Sequence, residues 1–273
     1  MRKVKVGHNK PFFDLILGFW PLYKAGLWLG KQPGIDKLLN PVFSKKAHQI
    51  MMIPVNEVIF QGAQTILPYS LLEHMVQEAS NRFIMADCVC RSHEACRNHS
   101  PDLGCLFLGD GAAQIHPSMG RLCSVSEAQE HIQRGMEEGL YPLIAHTMID
   151  ALTLGIPYSR MLTVCFCCEC CCAVHRSLRT GPISIMQIVQ RLPGLRIYVN
   201  EKCVVCGFCF ESCPAGAINL VNDNVEISEQ CKGCGICVKD CPHGAISMEM
   251  ESGADYINEF DGRIRSYADI LSG

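Results

Sequence analysis

The sequence predicts an α+β protein: a mostly helical, cysteine-rich module followed by a small α+β domain with internal pseudo-two-fold symmetry. Three observations predict it. Two S-x-x-E capping boxes, Ser70 with Glu73 and Ser124 with Glu127, open apolar stretches of helical spacing in the first half of the chain. A Pro193-Gly194 pair then interrupts the chain. Beyond it, a unit that reads as strand, cysteine loop, short helix and strand occurs twice with a period of 28 residues.

The elements follow in order. At 273 residues the chain exceeds a typical single domain. We divide it into an amphipathic N-terminal segment (1–65), a helical cysteine-rich metal module (66–194), the repeat domain (195–250) and a C-terminal tail (251–273). Residues 11–30 are apolar and aromatic (Phe12, Phe13, Phe19, Trp20, Trp28), but Asp14, Pro21 and Lys24 interrupt them. The uninterrupted run is too short to cross a bilayer, and no small-residue cleavage site follows. The segment reads as packed on the protein, the alternative being a peripheral membrane or subunit contact. Helices are predicted over 68–86, where Leu71, Leu72, Met75, Val76 and Ala79 share a face, and over 127–138, stopped by Gly139. Two more are predicted over 142–154, ending at Gly155, and over 183–192, closed by Pro193-Gly194.

Composition narrows the function classes. A net charge of −3, with no basic run beyond the first ten residues, gives no expectation of nucleic acid binding. Nineteen cysteines cluster rather than spread, too tightly to pair with one another locally. Without a secretory leader pattern, metal ligation in a reducing cytoplasm is the better reading than disulfides.

In the repeat, Cys203, Cys206, Cys209 and Cys213 recur as Cys231, Cys234, Cys237 and Cys241. Gly207 recurs as Gly235, Pro214 as Pro242, Gly216-Ala217-Ile218 as Gly244-Ala245-Ile246, and Val199 as Ile227. Each unit is C-x-x-C-x-x-C-x-x-x-C-P. A pair of zinc sites is the alternative, although zinc modules separate their C-x-x-C pairs by longer loops. The run resembles that of bacterial-type two-[4Fe–4S] ferredoxins over 196–248. The resemblance implies that Cys203, Cys206, Cys209 and Cys241 hold one cluster, and Cys231, Cys234, Cys237 and Cys213 the other. It also implies one-electron steps at irons fully capped by protein thiolates.

Eleven cysteines remain: Cys88, Cys90, Cys96, Cys105 and Cys123, then Cys165, Cys167, Cys168, Cys170, Cys171 and Cys172. Six thiols within eight residues are an oxidation liability unless occupied. All of the eleven except Cys123 are taken as metal ligands, with at least one further Fe–S cluster expected. A second cluster or a larger non-cubane one stays open, as do a structural zinc at Cys88 and Cys90 with two later ligands, and small buried apolar cysteines. Adjacent cysteines point in different directions, so they can serve different metals. The two groups are expected to adjoin, with Arg91 close enough to offset thiolate charge and donate to an anionic ligand. The histidines near them (His93, His99, His116, His131, His146, His175) make proton coupling a further expectation.

The elements Cys88-Val89-Cys90-Arg91, Leu108-Gly109 and 165–172 resemble those of uncharacterised 4Fe–4S binding proteins of anaerobes and archaea, from about residue 66 onward. A looser similarity to the paired-cysteine subunit of heterodisulfide reductases lacks that family's Cys-Cys-Gly signature, since Cys168 precedes Glu169 and Cys172 precedes Ala173. Gly109-Asp110-Gly111 is a turn signal; no G-x-G-x-x-G, P-loop or nucleophile elbow is present, so nicotinamide and flavin are not indicated. The expectation is a cytoplasmic electron-transfer protein, peripheral at a membrane if 11–30 docks there. It would be the iron–sulfur component or self-contained reductase of an anaerobic redox system, working with redox partner proteins. The rivals are a non-catalytic docking subunit and an Fe–S sensor or cluster-delivery protein.

Overall fold

A seven-stranded sheet organises the first two thirds of the chain. The computed structural model describes residues 6–32, 34–35, 44–54, 59–61, 64–66, 69–251 and 256–270. Lys3 and Lys5 of the basic start, Pro68 at the start of the first predicted long helix, and the last three residues of the tail lie outside the described residues. The strands of this sheet are β1 (His48–Met52), β4 (Arg82–Met85), β5 (Leu106–Leu108), β6 (Gly120–Leu122), β7 (Tyr141–Thr147), β8 (Leu162–Cys167) and β9 (Val189–Gln190). Their order is β6-β4-β5-β8-β7-β1-β9, antiparallel throughout except for the parallel β1–β9 pair.

The α+β class holds, but the first module is not mostly helical. The physical reason is visible in β7, which is buried at all seven positions. A strand covered on both faces loses its apolar–polar alternation and reads like a buried helix. The predicted helix over 142–154 therefore divides. Its first half is β7, and Thr147 then caps a helix at Met148–Leu154 by accepting from the Asp150 amide, with Gly155 left-handed at the end. Residues 68–86 divide likewise, into a helix at Tyr69–Glu78 and then β4. Ser70 lies inside that helix, one residue past its start. Residues 183–192 give a helix at Ile183–Ile188 and then β9. The helix at Val125–Glu137 has the reciprocal Ser124–Glu127 capping box that the sequence predicts.

The N-terminal residues form two helices, α1 (Lys10–Leu17) and α2 (Trp20–Gly30). They bury Phe13 and Leu27 and leave Phe12, Leu15, Phe19, Leu22 and Trp28 exposed. Glu94 anchors α2: it accepts from Trp20 Nε1 at 2.6 Å and Lys24 Nζ at 2.9 Å, and pairs with Arg176 at 2.8 Å. Among the described residues no helix is long and apolar enough to cross a membrane.

The repeat domain is built as the pattern reads. One copy contains β10 (Leu195–Val199), a helix at Phe208–Ser212 and β11 (Ile218–Val221); the other contains β12 (Asn224–Ile227), a helix at Ile236–Asp240 and β13 (Ile246–Met250). The first strand of each pairs antiparallel with the last strand of the other. Asn222 and Asp223, both at positive φ, make the two-residue turn between the copies. Two short strands from earlier in the chain, β2 (Ile59–Gln61) and β3 (Gln64–Ile66), extend the β10–β13 sheet. The C-terminal residues form a helix at Tyr256–Arg265, and Phe260, Ile264, Ala268 and Ile270 enter the main core.

Candidate metal centres

Both repeat copies place their thiols in the same way. Gly207 and Gly235, at φ 81° and 85°, turn the chain from the cysteine loop into the short helix, a conformation that costs glycine nothing. Cys203, Cys206 and Cys209 line one small hollow together with Cys241 of the second copy. Cys231, Cys234 and Cys237 line another together with Cys213 of the first. At equivalent positions Ala217 N–H donates to Cys213 Sγ and Ala245 N–H to Cys241 Sγ, each at 3.3 Å. Burial pushes the Cys234 thiol up to about 12, and Cys237 is raised for the same reason with Cys234 and Cys231 adding to it. Crowded, buried thiols resist ionisation alone; a thiophilic cation among them makes the thiolate the stable form. All nineteen cysteines are free, so no disulfide competes. The donor set fits soft metal or iron–sulfur ligation.

The second assembly lies beneath α1 and α2. A cavity of about 360 Å³ is walled by Cys88, Cys90, Cys105, Cys165, Cys167, Cys168 and Cys172. Strand alternation explains part of this set: Cys165 and Cys167 of β8 face the cavity side, while Phe166 between them packs into the main core. The chain turns after Cys167 and returns at Cys172, the N-cap of a helix at Ala173–Thr180. Cys88 is the N-cap of a short helix at Val89–His93 that also carries Cys90. Cys105 Sγ lies 3.4 Å from Cys165 Sγ, and Cys172 Sγ lies 2.8 Å from Cys167 Sγ.

Four thiols converge beside this wall. The Sγ atoms of Cys96, Cys168, Cys170 and Cys171 all lie within 4.8 Å of one another. The structure thus brings the 88–105 and 165–172 groups together and sorts them into a cavity wall and a compact quartet, with Cys168 touching both. Cys123 stands apart, packed against the main core, and burial pushes its thiol up to about 11.

Arg91 is fully buried between these groups. Its Nε donates to Ser100 O at 2.7 Å, Nη1 to Phe166 O at 2.8 Å, and Nη2 to Leu103 O. Burial alone would lower its pKa, but the thiolates of Cys88, Cys168, Cys105 and Cys167 hold it above the ordinary value. The guanidinium is close enough to offset thiolate charge, as expected. Three of its donors, however, bind backbone carbonyls, so its main contacts are to the protein itself.

Of the histidines singled out by sequence, His99 stands beside the quartet, its Nε2 3.8 Å from Glu169 Oε1, while others meet backbone carbonyls. His131 meets Gly104 O at 2.8 Å and His146 meets Met161 O at 2.9 Å. His175 is buried, with no hydrogen-bond partner at either ring nitrogen among the described residues, and burial lowers it to about 4. The histidine that lines the cavity among the described residues is His48, which sequence reasoning missed; so were Asp150 and Tyr23. Burial raises the Asp150 carboxyl against the lowering effect of its Thr147 and Thr163 partners. Tyr23 is pushed up to about 12 by burial, its hydroxyl 2.6 Å from Ser177 Oγ. The register that sets His48 against Thr147, three residues before Asp150, is a long-range pairing with no local sequence signal.

A family model described as the LdpA Fe-S cluster-binding domain matches residues 208–251, a span that holds six of the eight repeat cysteines. The match and the clustered thiols make this an iron–sulfur-binding protein. No curated protein and no solved structure matches the chain.

Proposed function

We propose that this chain is an iron–sulfur electron-transfer protein, the iron–sulfur component or self-contained reductase of an anaerobic redox system. In this reading Cys203, Cys206, Cys209 and Cys241 hold one [4Fe–4S] cluster, Cys213, Cys231, Cys234 and Cys237 hold the second, and the cavity wall holds a further cluster. One-electron transfer is the chemistry such clusters supply. The observation that carries the reading is continuity. A single apolar cluster contains Cys234 and Ile236 of the second copy together with Cys165, Cys167 and Cys172 of the cavity wall. The second copy is therefore packed directly against the first module.

The chain's own residues support the two ends of such a relay. At the outer end Val204 and Phe208, each 60% exposed, surround the exposed Cys206, an apolar rim suited to a redox partner protein. At the inner end, Arg91 offsets thiolate charge and Asp150 holds a proton more tightly than an ordinary carboxyl. The cavity beside these groups favours a reductase. A second reading, a non-catalytic subunit docking through α1 and α2, draws on the exposed apolar side chains of those helices. The test is a reductive titration of the anaerobically purified chain, followed by EPR. Reversible one-electron cycling of more than two clusters is expected; clusters that are lost rather than reduced would remove the electron-transfer reading.

A further inference from the structure

We propose that Cys96, Cys168, Cys170 and Cys171 bind a single thiophilic metal ion, Zn²⁺ or Fe²⁺, at a tetrathiolate site separate from any cluster in the cavity. The argument is one of distance. Their four Sγ atoms lie within 4.8 Å of one another, and Cys96 Sγ is 3.6 Å from Cys170 Sγ. A tetrahedral ion with metal–sulfur bonds of about 2.3 Å holds its four sulfurs roughly 3.8 Å apart. The thiolates of a cube each sit outside a different iron and are spread to roughly 6 Å. The quartet therefore suits one ion and is too tight for a cube, whereas the other cavity thiols are spread around a volume of about 360 Å³.

Local structure supports the same assignment. Cys171 N–H donates to Cys168 Sγ at 3.3 Å, the kind of backbone support that stabilises a metal-bound thiolate. Cys96 comes from the loop after the Val89–His93 helix, turned by Ala95 at φ 46°, a left-handed conformation uncommon outside glycine. The other three come from the turn that links β8 to the Ala173–Thr180 helix. Cys168 and Cys171 are buried and Cys170 is exposed, so an ion there would be reached from solvent while gripped from inside. It would staple together the two segments that carry Cys88 and Cys90 on one side and Cys165, Cys167 and Cys172 on the other. Its role would be to fix the cavity wall, independently of what the wall holds.

The test is metal and acid-labile sulfide analysis of the full chain purified anaerobically, with zinc-edge X-ray absorption. The expected result is one zinc per chain with four sulfur neighbours and no metal–metal scattering, or one iron in excess of sulfide. Cys170→Ser, at an exposed position, should remove that one metal and leave the sulfide count unchanged; Cys123→Ser, away from the quartet, should keep it. If Cys170→Ser loses several irons together with matching sulfide, the quartet holds a cluster and the proposal is overturned. It is equally overturned if the unmutated chain has no metal beyond its sulfide-matched iron, or if zinc is present but survives Cys170→Ser. Each outcome is separable from the repeat domain, whose irons count with their own sulfide.

Discussion

The two repeat copies share a ligand pattern but not a setting. In the first, Cys206, Val204 and Phe208 face solvent. In the second, Ile236 is 2% exposed within an apolar cluster shared with the first module. The Lys232 amine there donates to the Met186 carbonyl, and the Lys239 amine stands 5.2 Å from the Tyr141 ring centroid. One equivalent position makes the contrast concrete. Val205 takes φ 56° where its counterpart Gly233 takes φ 69°. A Cβ on Gly233 would lie 2.8 Å from both Arg191 Cγ and Leu195 Cδ2, so the packed copy requires glycine. Val205 is 41% exposed, and the open copy tolerates a β-branched residue in a strained conformation. Duplication supplies two like sites; packing then leaves one open to solvent and turns the other toward the protein.

That comparison can be broken at several points. The largest effect should come from the crossover ligands. Cys213→Ala should disrupt the cluster of Cys231, Cys234 and Cys237 and spare the other, and Cys241→Ala should do the reverse. EPR and iron counts on the two variants read this out; loss of the cluster of Cys203, Cys206 and Cys209 in Cys213→Ala would reverse the assignment. Gly233→Val should destabilise the chain by about 2 kcal/mol or more, through both clash and backbone strain. Val205→Gly should change it by no more than about 1 kcal/mol, the relief of strain offsetting the added chain entropy. Equal costs in thermal melts would mean that the two copies are packed alike.

A subtler contrast concerns the inner end. Arg91→Met removes a buried positive charge beside Cys88, Cys168, Cys105 and Cys167, and should lower the potential of a cavity cluster by on the order of 50 mV. Arg91→Lys should restore much of the potential without the three carbonyl contacts, separating charge from scaffold. The potentials of the repeat clusters should not move in either variant. The smallest effect concerns α2. Burial acts to raise the Glu94 pKa, but Lys24, Trp20 and Arg176 outweigh it and hold the carboxyl at about 2. Because the folded value lies below the ordinary 4.5, its stabilisation is complete above about pH 4.5 and fades as pH falls toward 2. Glu94→Gln should therefore cost about 1 kcal/mol at neutral pH, with the difference from the unmutated chain shrinking in acid.

The repeat was legible because its information is local and periodic: ligand spacing, the C-P step and the strand entries all lie within one short unit. The Val125–Glu137 helix was legible for a similar reason, since Ser124 and Glu127 carry both halves of its cap. The large sheet was not. β7 lost its alternation by being buried on both faces, and β9 is two residues long. The cavity depends on partners far apart in sequence, with His48 and Asp150 joined through the β1–β7 pairing. The sorting of 165–172 was half legible. Alternation along a strand separates Cys165 and Cys167 from Phe166, but the turn that gathers Cys168, Cys170 and Cys171 around Cys96 has no spacing signature of its own.

The most direct test of the account is the iron and acid-labile sulfide content of the anaerobically purified chain, with EPR of the reduced protein. Two repeat clusters and a cavity cluster predict about twelve or more irons per chain, with sulfide to match, and signals from more than two reducible clusters. A fully loaded preparation that holds only about eight irons, all assignable to the repeat, would leave the cavity wall without a cluster and contradict the account.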